Sequence, residues 1–347
     1  MPGSGVRVPP LLLSEPPGRP AALVFAAIDR AVHAGIRAKL VVLLSVLSVA
    51  CQPAQAREPG LSAFTADSVL VAAAGDLVCG IQTPQEIPCL ANYTAALVRQ
   101  LQPNALLLLG DLQYETGSAQ DFAANFHPTF GEFKSITWPV PGNHEYFTRG
   151  ARGYFDYFNG AGVDSGRAGS RRRGYYSFEL GAWHIVALNT NCPEIGGCGP
   201  RSPQVTWLKA DLAAHPARCT LAFAHAAPFS SGVHGNDLAM RDLWKVLYEG
   251  GADVFLAGHD HQYERFAPQD AEGRADTVRG IRSFVVGTGG KGLSQILTPR
   301  PNSELQDNQT IGVLLLTLRP DDYTWRFAPV PGIPKPVDDS GRAACGA

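Results

Sequence analysis

Residues 69–76 read VLVAAAGD, and residues 105–114 read ALLLLGDLQY. In each stretch a short apolar run is followed by glycine and then by aspartate. A run of this length, bounded by a turn residue, is typical of a strand that is buried on both faces. The two stretches therefore predict buried strands that end just before Asp76 and Asp111, where a loop begins.

Similar apolar runs recur along the chain, and helix-like segments lie between them. The predicted strands are Val69–Ala74, Ala105–Leu109, His184–Leu188, Leu221–Ala224, Val254–Ala257 and Ser283–Val286. The predicted helices are Asn92–Gln100, Ser118–Phe126, Pro203–Ala214 and Met240–Glu249. Two hairpins are also predicted, Tyr175–Leu180 leading to Trp183 and Ile311–Leu318 joined to Tyr323–Phe327. Strands that alternate with helices predict an α/β domain whose sheets are covered by helices.

Composition excludes several classes of protein. With 45% hydrophobic and 17% charged residues, the 347-residue chain is globular and well away from the disordered class. Its formal net charge is −2, so no overall basic field attracts nucleic acid or a membrane surface. We expect a protein that does not bind a nucleic acid scaffold. The sequence does not reveal the oligomeric state.

The N-terminal part resembles a secretory signal peptide. Arg37 and Lys39 precede an apolar run over residues 40–50, and Ala54-Gln55-Ala56 offers a small-residue cleavage site. The apolar run is too short to span a bilayer. We therefore predict cleavage near Ala56, a secreted or periplasmic protein and no transmembrane span.

Two alternatives concern the same N-terminal segment. Cys51 would be the new N-terminus of a lipoprotein, but Ser48 is a poor fit at the apolar position that such a signal wants. The residues ahead of Arg37 are unusual for a signal peptide. A second hypothesis is therefore that translation begins near Val32.

Six cysteines follow the predicted cleavage site. An even number in an exported chain favours disulfides over free thiols. Close spacing suggests the pairs Cys79–Cys89 and Cys192–Cys198, which leaves Cys219–Cys345 as the third. The sequence alone does not decide among the pairings. A zinc site is the competing interpretation, but the chain has no CxxC pair.

Three more segments place metal ligands after small or apolar residues. They are Gly142-Asn143-His144-Glu145, His225 after a hydrophobic run, and Gly258-His259-Asp260-His261. With Asp76, Asp111 and Tyr114, the chain offers carboxylate, amide, phenol and imidazole ligands in five short segments. This set suits two metal ions that share one carboxylate, an arrangement used to attack phosphate esters.

Each residue has a structural interpretation when it is taken alone. A glycine–aspartate pair after a strand is more often a turn, and Tyr114 fits a half-buried aromatic residue under a loop. His225 and His234 are each weak signals, because a lone histidine after a strand is more often structural. The ordered set of five segments, and no single member, is what predicts the metal site.

The ordered series resembles the calcineurin-like metallophosphoesterase superfamily. The tyrosine in GDLQY makes it similar to the purple acid phosphatase branch, and residues 69–327 look like secreted bacterial metallophosphoesterases. The resemblance implies a four-layer α/β/β/α sandwich of two mixed β-sheets flanked by helices. It also places the metals at the carboxyl ends of the strands.

The resemblance implies a role for each candidate residue. The first metal would be held by Asp76, Tyr114 and His261, the second by Asn143, His225 and His259, and Asp111 would bridge them. The substrate phosphate would be faced by Asn143, His144 and His234, with His144 and His234 as the catalytic residues. The implied cofactor is a pair of metal ions, Fe(III) with Zn(II), Mn(II) or Fe(II).

The sequence also suggests the domain boundaries. Residues 1–56 would be the N-terminal extension and signal peptide, residues 57–330 the catalytic domain, and residues 331–347 an extended tail rich in proline and aspartate. No internal linker divides the mature chain.

Two departures from the family pattern affect the expected site. Purple acid phosphatases have Asp-x-Gly at the first motif, whereas this chain has Asp76-Leu77-Val78. Relatives in the bacterial group often have His-His-Pro where this chain has His225-Ala226-Ala227. We expect the first change to alter loop geometry and metal preference, and the second to affect rate and substrate choice.

Three functions are compatible with the motifs. The leading hypothesis is a secreted phosphomonoesterase in which a metal-bound hydroxide attacks phosphorus and His144 or His234 assists the leaving group. A second is a phosphodiesterase or nucleotidase of the same superfamily. A third is a non-catalytic, phosphate-binding scaffold, whose signature would be a lost metal ligand. All seven ligands can be assigned here.

Overall fold

The computed structural model describes residues 68–80 and 89–346. The strands, β1 to β15 in order, are Val69–Ala74, Ala105–Leu108, Thr137–Pro139, Ser165–Gly166, Gly169–Ser170, Tyr176–Leu180, Trp183–Ala187, Cys219–Phe223, Val254–Ala257, Tyr263–Phe266, Arg282–Val286, Ser303–Asp307, Gly312–Leu318, Asp322–Pro329 and Ser340–Ala344. The α-helices, α1 to α7, are Ala91–Leu101, Ala119–Asp121, His127–Phe130, Asn143–Tyr146, Arg152–Asn159, Pro203–Ala214 and Arg241–Glu249.

Two large mixed sheets form the centre of the fold. The first has the order β15-β14-β13-β1-β2-β3, in which β1, β2 and β3 are parallel and β13 is antiparallel to β1. The second has the order β12-β10-β11-β9-β8-β7-β6, with parallel pairing from β11 through β7. Strands β4 and β5 form a separate small ribbon.

Three apolar layers separate the sheets from each other and from the helices. Leu107 of β2 packs in the layer between the two sheets, whereas its neighbours Leu106 and Leu108 face the helices outside the first sheet. Leu208 of α6 and Leu247 of α7 pack against the outer face of the second sheet. The fold is therefore the predicted four-layer α/β/β/α sandwich. The alternating direction of side chains explains why β2 is apolar at every position.

The register of β1 and β2 positions the first two motifs. Val71 pairs with Ala105 and Ala74 with Leu108 in parallel. The two chains therefore leave the sheet at the same edge, and the loops that contain Asp76 and Asp111 begin side by side.

Local sequence explains where α6, the longest of the described helices, begins. The Ser202 hydroxyl accepts a hydrogen bond from the Val205 amide at 3.2 Å, which caps the amino end of α6. Pro203 occupies the first turn, where backbone N–H groups have no acceptor within the helix, so the missing N–H of proline costs no hydrogen bond. The predicted bounds of this helix are confirmed.

The structure differs from the sequence prediction at several places. The predicted helix Ser118–Phe126 is α2 followed by a π-helical turn at Phe122–Phe126. The segment predicted as an extended tail supplies β15, which pairs antiparallel with β14 at the edge of the first sheet. Strands β3, β4, β5, β10 and β12 were also not predicted.

Three disulfides connect the predicted cysteine pairs, Cys79–Cys89, Cys192–Cys198 and Cys219–Cys345. The zinc interpretation of these cysteines is therefore wrong. The last bond joins the start of β8 in the second sheet to the residue after β15 in the first sheet. It thus links the two sheets covalently.

We expect the Cys219→Ser/Cys345→Ser variant to lose about 2–5 kcal/mol of unfolding free energy. The Cys219–Cys345 bond closes a loop with a sequence separation of 126, whereas Cys192–Cys198 spans only 6. In the loop-entropy account the longer loop stabilises more, so Cys192→Ser/Cys198→Ser is the matched control. Denaturant unfolding of both variants measures the difference. An equal or larger loss in the control would contradict the prediction.

Among residues 68–80 and 89–346, no helix combines the length and the apolar character that a membrane crossing needs. The predicted signal peptide, the Cys51 alternative and the start near Val32 lie outside the described residues.

Candidate metal centre

The seven predicted metal ligands converge in the loops that follow the carboxyl ends of strands in both sheets. Asp76 follows β1, Asp111 and Tyr114 follow β2, Asn143 begins α4 after β3, His225 follows β8, and His259 and His261 follow β9. We call these seven residues the candidate metal centre. In an open α/β fold this edge of the sheet is the usual place for a ligand.

Three of these residues have left-handed backbone conformations. The φ angles of Asp76, Asp111 and His259 are 61°, 50° and 71°. Such angles are uncommon outside glycine, and Asp and His are among the residues that tolerate them. Gly110 also has a positive φ, and a Cβ there would lie 2.6 Å from His225 Nδ1. The glycine before Asp111 therefore lets His225 approach the loop.

The first group of ligands surrounds the Tyr114 hydroxyl. That hydroxyl donates to Asp76 Oδ1 at 2.8 Å and lies 3.0 Å from His261 Nε2. The Asp76 and His261 side chains are themselves 3.3 Å apart. Three donor atoms from three loops therefore meet within hydrogen-bonding distance.

The second group surrounds His225 Nε2. Asn143 Oδ1 and His259 Nδ1 each lie 3.1 Å from it. Asp111 Oδ2 lies 3.3 Å from the same nitrogen and 3.1 Å from the Tyr114 hydroxyl. Asp111 therefore contacts both groups with one oxygen, as a bridging carboxylate would.

Backbone carbonyls fix the orientation of two imidazoles. His225 Nδ1 is 2.9 Å from the Leu109 carbonyl, and His261 Nδ1 is 2.8 Å from the Gly292 carbonyl. A carbonyl only accepts hydrogen bonds, so each Nδ1 carries the proton and each Nε2 faces the candidate metal centre. Outer contacts of this kind orient metal-binding histidines.

The buried carboxylates of the site need positive charge beside them. Burial favours neutral carboxyls, but the neighbouring imidazoles outweigh it and lower the pKa of both Asp76 and Asp111. Burial also opposes charge on His225, yet the Asp111 carboxylate raises its pKa to about 10. Two buried carboxylates are thus balanced by protons on imidazole. A metal cation would supply the same charge while the histidines stay neutral.

Tyr114 and His259 are held in their neutral forms. Burial and the two aspartates raise the pKa of Tyr114 well above its usual value. Burial, together with His225 and His234, lowers the pKa of His259 to about 3. A neutral imidazole is a ready ligand, and a phenolate at Tyr114 would need a cation beside it. The carboxylate, amide, imidazole and phenol donors therefore fit a pair of hard or borderline metal ions.

His144 and His234 lie beside the seven ligands. His144 Nδ1 is 2.7 Å from the Glu115 carbonyl, so its Nε2 is the free ring nitrogen and lies 3.9 Å from Asp111 Oδ2. The His234 ring stacks on His259 with centroids 4.1 Å apart. The structure brings both predicted catalytic histidines to the site.

Sequence reasoning missed two carboxylates that hold the loops. Glu145 is fully buried and accepts hydrogen bonds from four backbone amides, those of Gly142, Asp111, Leu112 and Gln113. Asp260 accepts from the Ser230 hydroxyl and from the His234 amide. Both carboxylates lie inside the motifs Gly142–Glu145 and Gly258–His261. Their position next to candidate ligands in the sequence was the signal that could have indicated a supporting role.

The two departures from the family pattern have simple local structures. Val78 forms a bridge with Gln113 and has no left-handed φ, so this backbone does not require glycine there. Ala226 and Ala227 are buried, and the Ala226 amide donates to the Thr190 hydroxyl at 3.2 Å. The expected effects on metal preference, rate and substrate choice stay predictions.

The fold and this convergence of ligands define a metallophosphoesterase-like site, and comparison with known sequences agrees. The family described as calcineurin-like phosphoesterase matches residues 69–263, which is more than half of the chain. The chain belongs to this family.

Known relatives include purple acid phosphatases. Purple acid phosphatase 18 of Arabidopsis thaliana is 28% identical over 206 residues, covering 53% of this chain and 43% of its own length. An uncharacterized protein of Mycobacterium tuberculosis is 27% identical over 256 residues, covering 63% and 48%. The chain thus spans about half the length of the curated relatives it matches. The predicted purple acid phosphatase-like branch is confirmed.

A solved structure has the same fold. The purple acid phosphatase PPD1 from yellow lupin (Lupinus luteus) seeds superposes with a TM-score of 0.65 at 18% identity. The match covers 81% of this chain and 54% of the lupin chain. At this identity the likeness shows the metallophosphatase fold and no more.

Proposed function

We propose that this protein is a binuclear-metal phosphatase that hydrolyses phosphate monoesters. The observation that carries the proposal is the position of Asp111. One of its carboxylate oxygens lies between the Tyr114 hydroxyl at 3.1 Å and His225 Nε2 at 3.3 Å. A single oxygen between two groups of donors supports two adjacent cations and fits one cation poorly.

The candidate metal centre would hold the two cations in the way the family resemblance implies. The first cation would take Asp76, Tyr114 and His261, the second would take Asn143, His225 and His259, and Asp111 would be shared. When bound, the cations would polarise the phosphoryl oxygens, lower the pKa of water and neutralise charge in the transition state. We propose iron(III) at the first position, because a phenolate is a hard, anionic donor.

His144 is placed to exchange a proton with the leaving group. Its Nδ1 is fixed on the Glu115 carbonyl, so Nε2 is the nitrogen that holds or gives up the mobile proton. The ring packs on Tyr114 with centroids 4.3 Å apart and on Phe147 at 4.7 Å, which limits its rotation. A fixed ring with one free nitrogen is what a general acid requires.

His234 and Asn143 would bind the phosphate itself. His234 stacks on His259, and its backbone amide is held by Asp260 at 2.8 Å. Asn143 is an amide, so it would orient a phosphoryl oxygen through its NH2 group while its oxygen faces His225. These contacts support a site for a small anionic ester.

The choice between monoesters and diesters is tested directly by rates. We expect the metal-loaded protein to hydrolyse p-nitrophenyl phosphate with a kcat/KM at least about tenfold above that for bis(p-nitrophenyl) phosphate, a difference of about 1.4 kcal/mol in barrier. The opposite order would make the protein a diesterase. Hydrolysis of neither ester by metal-replete protein would favour the non-catalytic scaffold.

Iron at the first position predicts a visible charge-transfer band from the Tyr114 phenolate. Burial keeps this phenol neutral, so only a bound cation would deprotonate it. Tyr114→Phe protein loaded with iron(III) should lack the band. Tyr154→Phe is the matched control, because Tyr154 is also buried and only donates to the Pro139 carbonyl at 2.9 Å. A band that survives in Tyr114→Phe would remove Tyr114 from the ligand set.

We also propose that the protein is exported. Three disulfides are consistent with an oxidising compartment. The candidate signal peptide ending near Ala56 would direct export, and N-terminal sequencing of the exported chain tests that position.

A further inference from the structure

A second group of side chains that could hold a metal ion lies on the outer face of the second sheet. His184 is the second residue of β7, and Asp211 and His215 lie at the carboxyl end of α6. One donor atom from each lies within 4.8 Å of the other two. We call these three residues the outer cluster. It lies at the amino end of β7, whereas the candidate metal centre lies beyond the carboxyl ends of the strands.

We propose that the outer cluster is a separate site for zinc or a similar borderline divalent cation. Donors held at about 2.0–2.2 Å from a tetrahedral zinc lie roughly 3.3 Å from one another. His184 Nε2 is 2.9 Å from Asp211 Oδ2, and His215 Nδ1 is 3.4 Å from Asp211 Oδ1 and 2.9 Å from the Asp211 backbone carbonyl. Two imidazoles and one carboxylate are ligands that zinc prefers, with water as the fourth.

Hydrogen bonds from neighbouring residues orient the proposed ligands, as they do in known metal sites. Glu179 Oε1 is 2.7 Å from His184 Nδ1, which places the carboxylate on the ring nitrogen opposite the proposed cation. The Ser177 hydroxyl donates to Asp211 Oδ1 at 2.6 Å. A carboxylate behind a metal-binding histidine fixes its tautomer and makes the free nitrogen a better ligand.

His215 provides the access route and the adjustable ligand. Its side chain is half exposed, whereas His184 and Asp211 are buried. The two imidazoles stack nearly parallel, at 13° with centroids 4.9 Å apart. Because a ligand nitrogen must point at the cation in the plane of its ring, His215 has to turn on binding and give up the hydrogen bond from its Nδ1 to the Asp211 carbonyl. Its exposure to solvent permits that rotation.

Both ring nitrogens of His184 face carboxylates, Glu179 Oε1 at 2.7 Å and Asp211 Oδ2 at 2.9 Å. A cation bound between His184 Nε2 and Asp211 would replace the second of these hydrogen bonds. The cation would then join α6 to the β6–β7 hairpin.

The test is the number of zinc ions bound by the full chain at equilibrium. We expect His215→Ala to bind one zinc fewer than the unaltered chain, with unchanged hydrolysis of p-nitrophenyl phosphate. His127→Ala is the matched control, because His127 is another exposed histidine, hydrogen-bonded to Tyr157. Equal zinc content in the His215→Ala variant and the unaltered chain would overturn the proposal. The difference of one ion is independent of whether the candidate metal centre also binds zinc.

A second variant tests the outer contact. Glu179→Gln keeps the shape of the side chain and removes its charge, so we expect the affinity of this one zinc to fall about 10–100-fold. If His184, Asp211 and Glu179 form only an ion-pair network, the zinc affinity of Glu179→Gln will equal that of the unaltered chain, and the proposal is wrong.

Discussion

The Asp111→Asn variant is expected to lose more than about 100-fold in kcat/KM for p-nitrophenyl phosphate. Loss of an outer contact to a metal ligand typically lowers affinity or activity 10–100-fold, and Asp111 would be the ligand shared by both cations. Its carboxylate is buried beside His225 and Tyr114. An amide there carries no charge to balance the cations, so metal binding should weaken together with turnover.

We expect the Asp111→Asn variant to keep its fold, so that a loss of activity can be attributed to the candidate metal centre. Asparagine has the shape of aspartate and tolerates the left-handed φ of 50° at this position. Its amide oxygen can still accept the hydrogen bond that Asp111 Oδ1 receives from the His144 amide at 2.9 Å. We therefore expect unchanged circular dichroism and an unfolding midpoint close to that of the metal-stripped parent.

Asp253→Asn is the matched control for this change. Asp253 is a half-buried aspartate that precedes β9, and it accepts hydrogen bonds from the Thr220 and Gly346 amides, both at 2.8 Å. Asp253 lies at the amino end of β9, whereas the candidate metal centre lies beyond the carboxyl end. The control should therefore keep the parent's activity. Full activity in Asp111→Asn, or an equal loss in Asp253→Asn, would contradict the assigned role of Asp111.

The Glu145→Ala variant should lose at least about 3 kcal/mol of unfolding free energy. The Glu145 carboxylate accepts hydrogen bonds from four backbone amides at 2.7–3.3 Å. These amides belong to the loop after β2 and to the turn before α4. Each buried amide left without a partner costs about 1–3 kcal/mol, partly offset by water that enters the cavity. Denaturant unfolding measures the loss.

Glu145→Ala should also lower activity, because the Asp111 amide loses its hydrogen-bond acceptor and the Asp111 carboxylate is then less well positioned. Glu249→Ala is the control, since Glu249 is exposed at the end of α7 and pairs with Lys245. A surface change of this kind stays within about 0.5 kcal/mol. A loss in Glu145→Ala below about 1 kcal/mol would show that these amides find other partners and that Glu145 does not hold the loops.

The central strands were predictable because burial on both faces leaves a strong signal. β1 and β9 have the predicted bounds, and the other four predicted strands differ by two residues or fewer at each end. The strands that were missed are short or lie near sheet edges. β12 reads SELQD and β15 reads SGRAA, and neither is buried enough to require an apolar run. Their pairing depends on partners that are distant in sequence.

Six of the seven residues of the candidate metal centre were predictable because each follows a strand that the sequence reveals. Asn143 follows β3, which was not predicted, and only its Gly142–Glu145 motif indicated it. The residues that position the ligands were not predictable. Glu145 holds amides from two loops, and that role depends on a distance across the fold that no local pattern encodes. His184 was assigned only to a strand, since the α6 residues that face it lie 27 positions or more along the chain.

The most direct test of the whole account is hydrolysis of p-nitrophenyl phosphate by the same protein preparation before metal removal, after treatment with a chelator, and after reloading. We predict that activity disappears with the metal and returns when two equivalents of cation per chain are restored to the candidate metal centre. Activity that is unaffected by complete metal removal, or absent from metal-replete protein, would contradict the account.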